Sequence, residues 1–289
     1  MGMSGRSVLQ SLLGAFGAQS WINASVVAVR RYRPAPPTWP ADLPLRVAVL
    51  SDFHFCEPWL GLQGLESIVE MTNGLKPDLI LLLGDFEEGP RFSHHIPAPD
   101  WANILGRLKA PLGVHAVLGN HDYPRYWRNR HRYLPLTEAE AALHTAGIPV
   151  LVNQAIPLNW QGKEFWLAGL GDQRTDRLDG SGVADLAATL APIPSGAPTI
   201  LMAHEPDIFP EVPDHVSLTL SGHVHRGQIR FFGYAPVVPS IYGQRYLHGH
   251  VVENDKHLIV SAGLGHSGLP LRFDARPEIV LIDLGDKID

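Results

Sequence analysis

The chain has 289 residues, with 23 Lys and Arg against 29 Asp and Glu, 15 His and a single Cys. One cysteine excludes an intramolecular disulfide, a zinc finger built on several cysteines and an iron–sulfur cluster held by several thiolates. The formal charge of −6 argues against a protein that wraps extended nucleic acid along a broad basic face. A metal site in this chain would therefore use histidine and oxygen ligands.

Residues 1–44 are predicted to form an N-terminal segment and a proline-rich linker. The apolar stretch 8–18 is too short to span a bilayer, and no clean small-x-small cleavage site follows it. Five prolines lie between residues 34 and 44, which favours an extended chain. The favoured interpretation of residues 1–33 is a helix or strand docked on the domain. The alternative is an interfacial segment that contacts a membrane surface. The expected location is accordingly cytoplasmic or peripheral to a membrane, with export left open.

Residues 45–289 are predicted to form one α/β domain. Short apolar runs closed by turn-forming or polar residues indicate buried strands over residues 45–50, 79–83, 114–118, 165–168, 199–203, 216–220, 257–261 and 279–284. Helical patterns lie at residues 62–74, 100–109, 137–147 and 183–190. Strand–helix–strand spacing in the first half predicts parallel crossovers, and the second half is richer in strands. The pattern predicts sheet packed on sheet with helices outside.

Polar side chains follow five of these strands at their carboxyl ends. The clusters are Ser51-Asp52-Phe53-His54, Gly84-Asp85-Phe86, Gly119-Asn120-His121-Asp122, His204-Glu205-Pro206 and Ser221-Gly222-His223-Val224-His225. Open α/β sheets bind their ligands at such ends, and residues two apart on an extended chain point to the same side. Each cluster alone is weak, because a lone histidine is more often a surface or core residue than a ligand. Burying all five without partners would be strongly unfavourable, so a shared cation is the simplest explanation.

The order of these motifs resembles the calcineurin-like metallophosphoesterase superfamily. The resemblance covers residues 45–285, and segments 221–228 and 263–272 are similar to a bacterial branch that contains YkuE-like and YaeI-like phosphodiesterases. It implies a four-layer α/β/β/α sandwich with a dinuclear metal site at the strand carboxyl ends.

Seven side chains would hold the two divalent ions that the resemblance implies, which are Mn, Fe or Zn. They are Asp52, His54 and His225 for the first ion, Asn120, His204 and His223 for the second, and Asp85 as the bridge between them. A hydroxide bridging the metals would attack phosphorus in line. His121 would assist the leaving oxygen, and Asp122 would orient the ring of His121.

Three residues are candidates for substrate binding, namely Arg226, Arg125 and His266. Glu87 and Glu88 add negative charge near the site. The expected substrate is a small phosphorylated molecule, with a phosphodiester favoured and a lipid-linked compound left open. One alternative is a non-catalytic scaffold of the same fold that binds a protein partner; it is disfavoured because the chain keeps every ligand position. Another is a lipid-linked or nucleotide-sugar pyrophosphatase.

Overall fold

A computed structural model describes residues 26–123, 137–174 and 182–286 of the chain. The apolar stretch 8–18 and the candidate substrate residue Arg125 therefore lie outside the described residues. Within the described ranges, no helix is both long enough and apolar enough to cross a bilayer.

The described residues form thirteen strands and four α-helices. The strands are β1 (Ala28–Tyr32), β2 (Leu45–Leu50), β3 (Cys56–Glu57), β4 (Leu79–Leu82), β5 (His94–His95), β6 (Val114–Ala116), β7 (Gln154–Trp160), β8 (Lys163–Gly169), β9 (Thr199–Met202), β10 (Leu218–Ser221), β11 (Gly249–Glu253), β12 (Lys256–Val260) and β13 (Glu278–Leu284). The helices are α1 (Leu62–Gly74), α2 (Ala98–Leu105), α3 (Glu138–Thr145) and α4 (Leu186–Leu190).

Two large sheets carry the fold. The first has the strand order β1-β13-β2-β4-β6, and the second has the order β11-β12-β10-β9-β8-β7. Strands β2, β4 and β6 are parallel neighbours, as the helical crossovers between them predict. In the second sheet β8, β9, β10 and β12 are parallel, whereas β7 and β11 close its two edges as antiparallel partners.

The side-chain alternation of the strands divides the core into layers. In β2, Val47 and Val49 pack toward the second sheet, whereas Ala48 and Leu50 pack toward the helices that cover the outer face of the first sheet. Opposite faces are expected for successive residues of a strand. A further apolar cluster covers the outer face of the second sheet, where Leu201 of β9 packs with residues that include partly buried side chains of α4. The predicted four-layer α/β/β/α sandwich is confirmed.

Local capping chemistry sets where the helices begin. The Thr137 side chain accepts a hydrogen bond from the backbone N–H of Glu140 at 3.1 Å, so α3 begins at the predicted cap. The Asp185 carboxylate accepts from the N–H of Ala188 at 2.9 Å. This cap makes α4 begin at residue 186, three residues after the predicted start.

The first sheet also includes a strand that precedes residue 45. Strand β1 pairs in parallel with β13 over five residues, from Ala28 opposite Glu278 to Tyr32 opposite Ile282. Residues 28–32 are thus a docked strand, one of the two structures favoured for residues 1–33. The division of the chain into segments 1–44 and 45–289 stays a prediction.

The close approach of two turns requires a residue without a side chain at position 84. Gly84 follows β4 with φ +89°, and a Cβ atom placed there would lie 2.3 Å from the backbone nitrogen of Gly119, which follows β6. The turns that carry Asp85 and Asn120 can approach each other this closely only without a side chain between them.

We expect Gly84→Ala to destabilise the protein far more than Gly147→Ala, which provides a matched control. Gly147 also has a positive φ, +79°, but has nothing within 4 Å of the added methyl group. The control should cost about 1–2 kcal/mol from the left-handed backbone alone, and Gly84→Ala should add about 1–3 kcal/mol from overpacking. Urea unfolding measures both. Equal free energies of unfolding for the two variants would contradict this account.

Candidate metal centre

The predicted metal ligands converge at the carboxyl ends of strands from both sheets. One ligand atom from each of Asp52, His54, Asp85 and His225 lies within 4.8 Å of the others. A second group at the same spacing consists of Asp85, His204 and His223. All six side chains are buried, and Asp85 belongs to both groups. The geometry is that of two adjacent cation sites that share one carboxylate.

Three buried polar atoms of the predicted ligands have no hydrogen-bond partner among the described residues. They are Asn120 Oδ1, His204 Nε2 and His223 Nδ1. His204 Nε2 does lie 3.1 Å from Asp85 Oδ2, without hydrogen-bond geometry. Buried polar atoms are normally satisfied, and these are nitrogen and oxygen atoms that bind divalent metals. The residues present therefore fit a metal ion on this side of Asp85.

Backbone carbonyls set which histidine nitrogens are available to a cation. His54 Nδ1 lies 2.8 Å from the carbonyl of Glu88, and His204 Nδ1 lies 2.6 Å from that of Leu83. His223 uses its other nitrogen, since Nε2 lies 2.9 Å from the carbonyl of Pro239. A ring nitrogen near a carbonyl must carry the proton, so the opposite nitrogen keeps its lone pair. Burial also lowers the pKa of His54 and His223 to about 4, which keeps both rings in the neutral, metal-binding form.

His225 is held differently from the other three histidines. Its Nδ1 atom lies 3.2 Å from Nη2 of the buried Arg272, and its Nε2 atom lies 3.1 Å from His54 Nε2. Because a guanidinium only donates, the ring accepts from Arg272 and carries its proton on Nε2. A cation at Nε2 requires that this proton leave.

Asp122 does not contact the ring of His121; its carboxylate binds backbone N–H groups instead. Its oxygens accept from Asp85 at 2.9 Å, Phe86 at 2.7 Å, Glu87 at 3.2 Å and Gly119 at 2.8 Å. The first three N–H groups belong to the turn after β4 and the fourth to the turn after β6. Asp122 thus joins the two turns that present Asp85 and Asn120.

Glu88 makes the contact that the sequence interpretation gave to Asp122. His121 Nδ1 lies 2.6 Å from Glu88 Oε2, and the His121 ring stands at 5.0 Å from the His54 ring, edge to face. Burial opposes the charged ring, but the negative charges of Asp85 and Glu88 outweigh it and raise the pKa of His121 above its ordinary value.

A cavity of about 520 Å³ opens above the ligands and gives them access to solvent. Asp85, Asn120, His121 and His223 line its polar end, and Arg174 adds a cation there. The Arg174 Nη1 atom donates to the carbonyl of Pro239 at 2.7 Å, which holds the guanidinium beside His223. Much of the remaining wall is apolar, with side chains of Ile229, Pro236, Val237 and Leu269, and Gln228 and Ser267 also contribute to it.

Of the three residues expected to bind substrate, Arg226 and His266 do not line this cavity. Arg226 lines a separate cavity beside the start of β1 and β13. His266 is 3% exposed, packs against Trp59 with ring centroids 5.8 Å apart, and has no hydrogen-bond partner on either nitrogen. Arg125 lies outside the described residues.

The sequence interpretation missed Arg174 as a residue of this cavity. Arg174 follows β8 in the segment Gly171-Asp172-Gln173-Arg174, and the strand-end rule that found the other clusters would have found it.

The chain belongs to the calcineurin-like phosphoesterase family, whose model matches residues 45–227. The predicted resemblance is confirmed, and the protein is a metallophosphoesterase, a hydrolase of phosphoric esters. It is 34% identical to the uncharacterized metallophosphoesterase YkuE of Bacillus subtilis over 247 residues, which cover 83% of this chain and 78% of that protein.

Two further relatives come from Escherichia coli and Danio rerio. The phosphodiesterase YaeI of Escherichia coli is 28% identical over 245 residues, which cover 83% of this chain and 82% of that protein. A transmembrane protein with metallophosphoesterase domain from Danio rerio is 33% identical over 254 residues, which cover 83% of this chain and 53% of that protein. The chain thus matches only about half of this last relative.

We expect Asp122→Asn to weaken metal binding by about 10–100-fold, as loss of an outer-shell partner typically does. The amide presents N–H groups to backbone donors that the carboxylate now satisfies, so the turn that carries Asp85 loses its anchor. Titration of the stripped protein with Mn²⁺ or Zn²⁺ measures the affinity. Asp214→Asn removes an exposed carboxylate and should leave the affinity unchanged. Wild-type affinity in Asp122→Asn would rule out the anchoring role.

Proposed function

We propose that the protein is a dinuclear metal-dependent phosphodiesterase, in which Asp85 bridges two divalent ions. The observation that carries the proposal is the membership of Asp85 in both ligand groups, together with the unpartnered atoms of Asn120, His204 and His223 around it. The family is one of phosphoesterases, and the similar YaeI protein is named a phosphodiesterase. The metal identity stays open among Mn, Fe and Zn, because mixed histidine and carboxylate sites accept each of them.

The remaining ligands divide between the two ions by their proximity. Asp52, His54 and His225 would hold the first ion, and Asn120, His204 and His223 the second. Two bound ions would activate a water for attack on phosphorus and neutralise charge on the phosphoryl oxygens. Burial of these side chains lowers the local dielectric constant, which strengthens each electrostatic interaction at the centre.

His121 is the proposed proton donor to the leaving oxygen. It lines the cavity beside Asp85, and the Glu88 carboxylate 2.6 Å from Nδ1 stabilises a protonated ring. Glu88 fixes the ring through Nδ1, which leaves Nε2 as the donating atom. Asp122 contributes by positioning the backbone of Asp85.

The shape of the cavity supports a diester with an apolar or aromatic second substituent. One phosphoryl group can lie between the ligands and Arg174, whose guanidinium suits a phosphate oxygen. The apolar side chains of Ile229, Val237 and Leu269 can then cover the second substituent, which a monoester lacks. A lipid-linked substrate is compatible with this wall. Membrane contact through residues 1–33, and a location in the cytoplasm or at a membrane surface, stay predictions.

The metal-loaded protein should hydrolyse bis-p-nitrophenyl phosphate faster than p-nitrophenyl phosphate. The diester places a second aromatic ring against the apolar wall, whereas the monoester cannot. The assay measures kcat/KM for both compounds after Mn, Zn, Mg or Fe is added to the stripped protein. Bound ions without turnover of either compound would overturn the proposed activity, and faster turnover of the monoester would overturn the diester preference.

The proposed roles predict different effects for three variants. Asp85→Ala should abolish metal binding and activity together. His121→Ala should retain the metals and lower kcat by about 10²–10⁴-fold, and Glu88→Gln should lower kcat less because the amide still accepts a hydrogen bond from the ring. His144→Ala removes an exposed histidine and serves as the control. Metal loss in His121→Ala comparable to that in Asp85→Ala would contradict the assignment of His121.

A further inference from the structure

A second cavity, of about 800 Å³, lies beside the start of β1 and β13 and shares no lining residue with the metal cavity. Four arginines line it, namely Arg30, Arg226, Arg230 and Arg276. The chain as a whole carries a charge of −6, so this concentration of cations is a local feature. The two carboxylates at the cavity, Asp274 and Glu278, offset half of it.

Two of these arginines lie too far from the carboxylates for a charge-assisted hydrogen bond. Arg30 Nε lies 3.8 Å from Glu278 Oε2, and Arg230 Nη1 lies 3.9 Å from Asp274 Oδ2. Charge-assisted hydrogen bonds are about 2.7–2.9 Å long. Glu278 is also 1% exposed and accepts through Oε1 from His248 and from the N–H of Ala262. These two hydrogen bonds partly compensate the charge of Glu278.

Arg226 supplies a donor with no partner. Its Nε atom is buried and makes no hydrogen bond within the described structure. A buried guanidinium N–H without an acceptor is costly, and a bound anion would satisfy it. Arg230, in contrast, is oriented by its own turn, since Nε and Nη2 donate to the carbonyl of Gly233.

An aromatic wall stands next to the arginines. The rings of Phe231 and Phe273 are 5.5 Å apart, and Phe232 lies fully exposed at the tip of the turn that Phe231 and Tyr234 close. Arginines beside an apolar surface suit a ligand that joins a phosphate group to an organic body.

We propose that this arginine cavity binds the phosphate group of an organic phosphate, separately from the metal centre, with Phe232 against the ligand's organic part. Arg226 and Arg230 bind the phosphate. The ligand is either a soluble phosphate ester or the headgroup of an anionic lipid. Its two sources share this chemistry and are separated by experiment.

The test uses inorganic phosphate and isothermal titration of the metal-loaded full chain. We expect two phosphate sites in the wild type, one at the metal centre and one in the arginine cavity. Arg226→Gln and Arg230→Gln should each weaken binding at the arginine site at least about tenfold. Asp85→Ala, which disables the metal centre, should keep the arginine site. Arg107→Gln is the matched control, because it removes the same charge from an exposed position. Absence of phosphate binding in Asp85→Ala, or unchanged binding in both arginine variants, would overturn the proposal.

Vesicle flotation then identifies the source of the phosphate. If phosphatidylglycerol vesicles, but not phosphatidylcholine vesicles, carry the wild type and fail to carry Arg226→Gln and Phe232→Ser, the ligand is a lipid headgroup. If neither arginine variant changes flotation while the titration still shows the second phosphate site, the ligand is a soluble ester. Because the titration measures phosphate binding without turnover, its failure is distinguishable from a failure of the phosphodiesterase activity.

Discussion

The site depends on one buried carboxylate that belongs to both ligand groups. Asp85 is 1% exposed and lies between histidines from both sheets. Burial raises its pKa, but in the metal-free protein the positive charges of protonated His204 and His121 outweigh that effect and hold the pKa well below the ordinary value. The carboxylate therefore stays charged in a low-dielectric region, where its charge requires a positive partner. In the proposed metal-bound form, divalent ions would take the place of the proton on His204 as that partner.

Strained backbone at the strand ends aims the ligands at this carboxylate. Asp52, His54, Asp85, His223 and His225 all have positive φ angles, between 47° and 67°. Such conformations cost about 1–3 kcal/mol each in a non-glycine residue and persist only where the surroundings enforce them. The surroundings here are backbone hydrogen bonds between neighbouring turns, for example from the N–H of His54 to the carbonyl of Asp85 at 2.9 Å. The strained backbone thus costs stability locally, and it directs these five side chains, which come from the three turns after β2, β4 and β10, to one place.

The sequence was sufficient to predict which side chains cluster at the strand ends but not the contacts that orient them. Asp52, His54 and the other predicted ligands each follow an apolar strand, and strand order alone brings such ends to one edge of the sandwich. The partners of Asp122 depend instead on the parallel register of β4 and β6, which sets Ile80 opposite Val114. Local sequence does not encode that register. For the same reason Glu88, which lies 33 residues before His121 in the sequence, was noted only for its charge.

The strands also differ in how well local sequence predicts them. Strands with continuous apolar runs were predicted within a few residues, as for β2 and β4. Strands β7 and β11 were missed, because both are sheet edges of mixed burial, and Pro157 and Asn159 within β7 weaken its pattern. Their pairing with β8 and β12 becomes visible only in the assembled sheet.

The turn after β10 shows how a short segment can serve two cavities. From His225 to Gln228, four consecutive residues have positive φ angles, from 47° to 72°. This left-handed path directs His225 to the metal centre, while Arg226, the next residue, lines the arginine cavity. Proximity in sequence to a metal ligand therefore does not imply proximity to the metal's substrate. Arg174, 51 residues before His225 in the chain, lines the metal cavity and Arg226 does not, because the direction of each side chain is set by its turn.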